Sequence, residues 1–216
     1  MSTPHIHDSA PGENAHTSIR IGVVSDTHVP HRIPHLPKPM LDLLQGSDLI
    51  LHAGDLEDPA IIDELSQIAP VHAVRGNLHW QYSLGTHDQT LPAQLTLPLG
   101  QHTLWMTHGH INFGYSILDK LAHFSGKPRL NLVNNMIIAR LVRKKPTHAD
   151  IVVFGHSHKP CAVHREGVRA GDAGALYFNP GSTMGAGSPT IMVEPPSIGF
   201  LTLAGDGSIS HEWAFW

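Results

Sequence analysis

The chain has 216 residues, 41% of them hydrophobic, with 14 Lys and Arg against 18 Asp and Glu for a formal net charge of −4. That length suits one α/β domain with a sizeable core, and the slightly negative balance argues against a general nucleic-acid coat or a membrane-surface binder. A single cysteine, Cys161, allows no internal disulfide and no apolar run reaches the length of a membrane span, so the chain reads as soluble and cytoplasmic.

The opening "MSTPHIHDSAPGENAHTS", residues 1–18, lacks the basic start and apolar centre of a signal peptide and reads as a disordered, histidine-containing tail. Residues 19–216 then form a single expected domain. "IRIGVVSDTH" carries an apolar run from Ile19 to Val24 and stops at Ser25, Asp26 and His28. Met40, Leu41 and Leu44 recur at helical spacing before Gly46. "DLILHAGD" runs from Leu49 to Ala53 and stops at Gly54 and Asp55. Asp58 followed by Pro59 is a helix start for Ile61, Ile62, Leu65 and Ile68. "PVHAVRGN" ends at Gly76 and Asn77. "AQLTLPLGQHTLWMTH" reads as a hairpin turning at Leu99 and Gly100, and its second strand ends at His108. "DIVVFGHSHKP" places a buried strand, Ile151 to Phe154, before a Gly turn and the pair His156 and His158. Ala175 to Phe178, Gly199 to Leu203 and Ser208 to Trp213 are further short strands.

Five apolar runs thus each deliver a metal-competent residue at the C-terminal end. Strands alternating with helices imply parallel pairing, and such sheets bind ligands outside the carboxyl ends of their strands. A mixed sheet, or two stacked sheets with helices outside, fits the later hairpins. The histidine total, 19, gains its meaning here. Asp26, His28, Asp55, Asn77, His108, His156 and His158 offer oxygen and imidazole without thiolate, a set suited to divalent Mn, Fe, Zn, Co or Ni. They are too many for one ion, and two ions sharing a carboxylate would use them all.

The motifs "SDTH", "HAGD", "RGN", "THGH", "GHSH" and "NPGS" stand in the order and rough spacing of the calcineurin-like metallophosphoesterase superfamily. The chain most resembles its small bacterial and archaeal phosphodiesterase branch, whose relatives include the retromer scaffold subunit. The resemblance spans Ile19 to about Leu203 and implies an α/β fold, a four-layer αββα sandwich of two mixed sheets flanked by helices. It also implies a dinuclear metal site at the strand ends. Asp26, His28 and His158 would hold one ion, Asn77, His108 and His156 the other, and Asp55 would bridge them. Manganese is the first expectation for both ions. The implied activity is phosphate-ester hydrolysis, chiefly of diesters, by attack of metal-bound hydroxide, with no covalent enzyme intermediate. A phosphomonoesterase and a non-catalytic scaffold are the alternatives. The expected partner is a phosphate-ester substrate, with nucleic acid only as a substrate and no membrane.

Two departures from the family stand out. Where relatives carry an acid two places after the motif Asn, "GNLH" offers His79, which either protonates the leaving oxygen or is a surface residue. The segment of about 112–146 is longer than the branch usually has. It carries Lys120, Lys127, Arg129, Arg140, Arg143, Lys144 and Lys145, half of the chain's Lys and Arg, against the single acid Asp119. Ile117, Leu118, Leu121 and Phe124, then Leu130, Val133, Ile137 and Leu141, mark two amphipathic helices. Their apolar faces suit the core or a homo-oligomer contact, and their charge suits a solvated face or an anion-attracting rim. His52 and His72 read as packed histidines, and His110 at most as a substrate contact or a support for the ligands. Asn179 and Ser182 read as turn-fixing, "GSTMGAGSP" as a loop and Cys161 as a small packed hydrophobe in a strand.

Overall fold

Period-two alternation sorts the apolar residues of each strand to opposite faces, and the layers of the molecule follow from that sorting. The computed structural model describes residues 18–77, 91–110, 132–188 and 191–216. The first sheet contains β1 (Ile19–Val24), β2 (Leu49–His52), β3 (Val71–Ala73), β11 (Ser197–Leu203) and β12 (Ile209–Phe215), in the order β12-β11-β1-β2-β3. The second contains β4 (Gln94–Leu99), β5 (His102–Thr107), β6 (Ile151–Val153), β7 (Cys161–Arg165) and β8 (Ala175–Asn179), in the order β4-β5-β6-β8-β7. Both are mixed: β1, β2 and β3 are parallel, as are β5, β6 and β8, while β11 and β12 join the first sheet antiparallel and β4 and β7 the second.

Ile21, Val23, Leu49 and Leu51 of the first sheet meet Leu104, Met106, Ile151, Val153, Leu176 and Phe178 of the second in one inner core. The alternate residues face outward. Ile50, Ala73 and Phe200 pack under the helices α1 (Lys38–Leu44) and α2 (Ala60–Ser66), while Val152, Phe154 and Tyr177 pack under α3 (Leu132–Lys144). The expected αββα order is therefore present, and it turns the C-terminal ends of the parallel strands toward common rims. Asp58 starts α2 as expected, its Oδ1 accepting the Ala60 N–H at 2.9 Å. The hairpin turns one residue later than expected, because Leu99 pairs with His102 and leaves Gly100 and Gln101 as the turn. The "GSTMGAGSP" stretch is not all loop, since β9 (Ala186–Ser188) pairs with β10 (Ile191–Glu194). Among the described residues no helix is long and apolar enough to cross a membrane.

Part of the long segment departs from its sequence reading. The face of α3 bearing Val133, Ile137 and Leu141 is buried on the second sheet, which is the core alternative of that reading; the basic residues are what depart from it. Because β5 and β6 are parallel, the connecting helix must run back against them, starting at the ligand-bearing rim and ending at the other end. Asn134 near its start touches the 156–158 loop, whereas Arg143 and Lys144 lie ten or so residues on, roughly 15 Å along the axis. That exceeds the ~8 Å reach of surface charge at physiological salt, so these two cations form no rim at the site. Lys145 is not a surface cation at all. It is 1% exposed, and its Nζ donates to Asp172 Oδ1 at 2.6 Å and to Ala149 O at 2.8 Å. The first expected helix of this segment and the tail lie outside the described residues.

Removing Asp172 would strand that buried ammonium. Asp172→Ala should lower the unfolding free energy by about 3–5 kcal/mol in urea titrations, and pairing Asp172→Leu with Lys145→Met should restore most of it. A change below about 1 kcal/mol in the single variant would show that Lys145 is solvated.

Candidate metal centre

Strand ends leave backbone groups unpaired, and here the loops after β1, β2, β5 and β6 are tied to one another instead. Asp26 N–H donates to Gly54 O at 2.9 Å, His28 N–H to Asp55 O at 3.1 Å and Gly155 N–H to His108 O at 3.2 Å. Across the sheets, His156 N–H donates to Asp26 Oδ2 at 3.1 Å and Ser182 Oγ to Asp26 O at 3.0 Å. The non-glycine residues with positive φ, among the described residues, are Asp26 (53°), His28 (50°), Asp55 (56°), His156 (74°) and His158 (58°). All five belong to the ligand set read from the sequence. Left-handed backbone in a residue with a Cβ costs of order 1 kcal/mol, and such strain concentrates at functional sites.

Two glycines let the chain come close enough. A Cβ on Gly76 would lie 1.8 Å from Asp55 Oδ1, and one on Gly155 would lie 2.1 Å from Ser25 Oγ.

The seven side chains converge. Asp26 is fully buried; its Oδ2 accepts from Ser25 Oγ at 2.5 Å and from the His156 amide, while Oδ1 has no hydrogen bond and faces His158 Nε2 at 3.2 Å and His108 Nε2 at 3.9 Å. Asp55 Oδ2 stands 3.4 Å from His108 Nε2 and 3.8 Å from His28 Nε2. Asn77 Oδ1 lies 2.9 Å from both His108 Nε2 and His156 Nδ1. Ligand atoms of Asp26, His28 and His158 lie within 4.8 Å of one another, as do those of Asp26, Asp55 and His108. Asp26 belongs to both groups, and Asp55 Oδ2 lies between a ring of each, His28 and His108. His79 lies outside the described residues.

The supports fix which imidazole nitrogen is offered. His108 Nδ1 donates to Ala53 O at 2.8 Å and His158 Nδ1 to Gly185 O at 3.3 Å, so each presents Nε2 inward. Asn179 is buried and donates to Gly155 O at 3.2 Å and Ser157 Oγ at 3.0 Å, which holds the turn as its sequence context implied. His52 is a packed histidine: Nδ1 accepts the Gly54 N–H at 3.2 Å, Nε2 meets Thr27 Oγ1 at 3.1 Å, and burial pushes it down to about 4. His72 instead is exposed, because β3 is an edge strand and its alternation turns this residue to water. His110 sits beside the second group, 5.5 Å between ring centroids from His108, and burial with the neighbouring His108 and His156 pushes it down to about 3.

Two supports went unread in the sequence. Asn134 accepts from Ser157 Oγ at 2.6 Å and donates to Lys159 O at 3.1 Å, and Glu57 Oε1 meets His28 Nδ1 at 2.9 Å. No local pattern marks either, since each acts on a partner more than 20 residues away.

Burial alone would raise Asp26, but the positive charge of His158, with that of His108, outweighs it and holds the carboxyl well below the usual carboxylate range. Burial likewise pushes His108 down, yet Asp55 and Asp26 hold it up at about 9. Unpartnered Asp26 Oδ1 and His28 Nε2, both buried, are the expected signature of atoms meant for a cation, and the oxygen–imidazole donor set fits divalent ions.

Residues 19–197 match the model of the calcineurin-like phosphoesterase superfamily domain. The chain belongs to that superfamily. It is 29% identical over 187 residues to a probable metallophosphoesterase of Methanothermobacter thermautotrophicus, covering 86% of this chain and 87% of that protein. It is 30% identical over 185 residues to another from Methanocaldococcus jannaschii, covering 82% and 77%. Among solved structures, vacuolar protein sorting 29 from Cryptosporidium parvum shares the fold with a TM-score of 0.60 at 20% identity, covering 92% of this chain and 98% of that one. The superfamily uses divalent metals, and this chain has the side chains to hold them at the rim.

His108 titrates above its unfolded value of 6.5, so its contribution to stability in the ion-free protein is fully present below that pH and lost as pH rises through about 9. In chelator, the melting-temperature advantage of the wild type over His108→Gln should be largest near pH 6 and shrink toward pH 10. An advantage that grows with pH would reverse the assignment.

Proposed function

We propose that the chain is a two-metal phosphoesterase that hydrolyses phosphate esters, with diesters as its substrate class. The observation that carries this reading is the convergence of seven ligand-type side chains, five of them held in left-handed backbone. Asp26, His28 and His158 would hold the first ion, Asn77, His108 and His156 the second, and Asp55 would be shared. Manganese is the ion we favour, and Fe, Zn, Co or Ni suit the same donors. Such ions, when bound, acidify water enough to supply a nucleophile at neutral pH and offset the charge that develops on phosphoryl oxygens.

The chain's own part is positional. Asn77 turns Oδ1 toward His108 and His156, which frees Nδ2 to donate to a phosphoryl oxygen. His79, which follows it by two residues, is our candidate for protonating the leaving oxygen. Monoesters carry an extra charge and call for a cationic clamp. The helix α3 carries Arg143 and Lys144 away from the rim and Lys145 is buried, so these three supply no such clamp.

The fold is also that of vacuolar protein sorting 29, so catalysis has to be tested against a purely structural use of it. After chelation the protein should be inactive on bis(4-nitrophenyl) phosphate, and divalent ions should restore turnover with a preference over 4-nitrophenyl phosphate. Asp55→Asn should cut turnover by about 10³-fold with an unchanged circular dichroism spectrum. Turnover that survives chelation, or an active Asp55→Asn, would rule out the two-metal reading. His79→Ala should slow esters with alkoxide leaving groups far more than nitrophenolate esters, and an equal effect on both would return His79 to the surface.

A further inference from the structure

We propose that Glu57 is a positioning residue for the first metal position, locking His28 in the one tautomer that can ligate there. The inference rests on the two-metal reading above. Glu57 Oε1 lies 2.9 Å from His28 Nδ1, and Oε2 meets His31 Nδ1 at short range. The Glu57 side chain is 3% exposed and His28 1%, whereas His31 is 41% exposed and covers the carboxylate on its solvent side. An ionised carboxylate only accepts hydrogen bonds, so the proton of His28 is drawn to Nδ1 and Nε2 is left with its lone pair. That lone pair has no hydrogen bond and faces Asp55 Oδ2 at 3.8 Å. A lone pair aimed at a carboxylate oxygen is repulsive unless a cation lies between them. In the neutral ring Glu57 therefore leaves His28 with an inward lone pair that a cation between it and Asp55 would satisfy.

One short segment does both jobs. Asp55 supplies the shared carboxylate, its backbone oxygen accepts the His28 N–H at 3.1 Å, and two residues later Glu57 holds the back of the same ring. His28 is thus clamped by main chain and side chain at once, despite its φ of 50°. The second position is supported from elsewhere, His108 by the Ala53 carbonyl and Asn77 by its two imidazoles. Loss of Glu57 should therefore weaken one ion and spare the other. A carboxylate behind a ligating imidazole is typically worth 10–100-fold in metal affinity.

The test is calorimetric titration of the chelated full-length chain with Mn²⁺, for the wild type, Glu57→Ala and the isosteric Glu57→Gln. Nitrogen-15 spectra of the ion-free proteins read the His28 tautomer in parallel. The wild type should bind two ions with His28 protonated at Nδ1. Glu57→Ala should lose about 10–100-fold in affinity for one ion only and show mixed tautomers. Glu57→Gln, whose amide oxygen still accepts the Nδ1 proton, should keep the tautomer and lose less. If Glu57→Ala does not fold, Glu57→Gln must still weaken one ion selectively. Two unchanged binding events in a folded variant, or equal weakening of both, would overturn the inference while leaving the two-metal reading in place. A wild type that binds no ion would remove that reading and this inference together, and is told apart because it shows before any variant is made.

Discussion

The rim of this molecule depends on a backbone constraint: side chains that must converge on one volume have to leave the strands through left-handed residues. Asp26, His28, Asp55, His156 and His158 each take that conformation. At about 1 kcal/mol apiece the strain totals roughly 5 kcal/mol, comparable with the lower end of a domain's net stability. It persists because amides of one loop bond to carbonyls of the next, Asp26 to Gly54 and His28 to Asp55, so that neither loop can relax alone. The two sheets are joined by the same device, where the His156 amide reaches the Asp26 carboxylate. A ligand set on two stacked sheets is thereby held as one rigid unit, which is what metal geometry demands.

Charge adds a second constraint. Asp26, Asp55 and Glu57 bring three buried carboxylate side chains together, and the side chains facing Asp26 and Glu57 include imidazoles. Imidazoles are weak counter-charges, because each must be protonated to serve as one. In the ion-free protein His108 and His158 are held up by their carboxylate neighbours while burial pushes His28 down, so rings within one site answer the same buried charge oppositely. Divalent cations resolve that mismatch, which links the electrostatics of the rim to the metal use of the superfamily.

Much of this is legible in the sequence. Apolar runs ending in Asp, Asn or His identify both the parallel strands and the rim they share, because alternation and strand direction are local properties. The layers also follow, since Val152 and Val153 must face opposite ways in any strand. What the sequence hid depends on partners far along the chain. Glu57 reads as an ordinary acid in a turn until it meets His28, 29 residues earlier. Lys145 reads as the last of a basic run until Asp172, 27 residues later, takes it into the interior. His72 read as buried because its neighbours are apolar, but an edge strand of three residues has only one covered face. The direction of α3 follows from parallel pairing of β5 and β6, and it removes Arg143 and Lys144 from the site even though they are close to His156 in sequence.

The most direct test of the account is anomalous diffraction from crystals soaked in Mn²⁺. The account predicts two peaks, one among Asp26, His28 and His158, the other among Asn77, His108 and His156, with Asp55 touching both. A single peak, or none at these residues while Mn²⁺ occupies other parts of the chain, would contradict it.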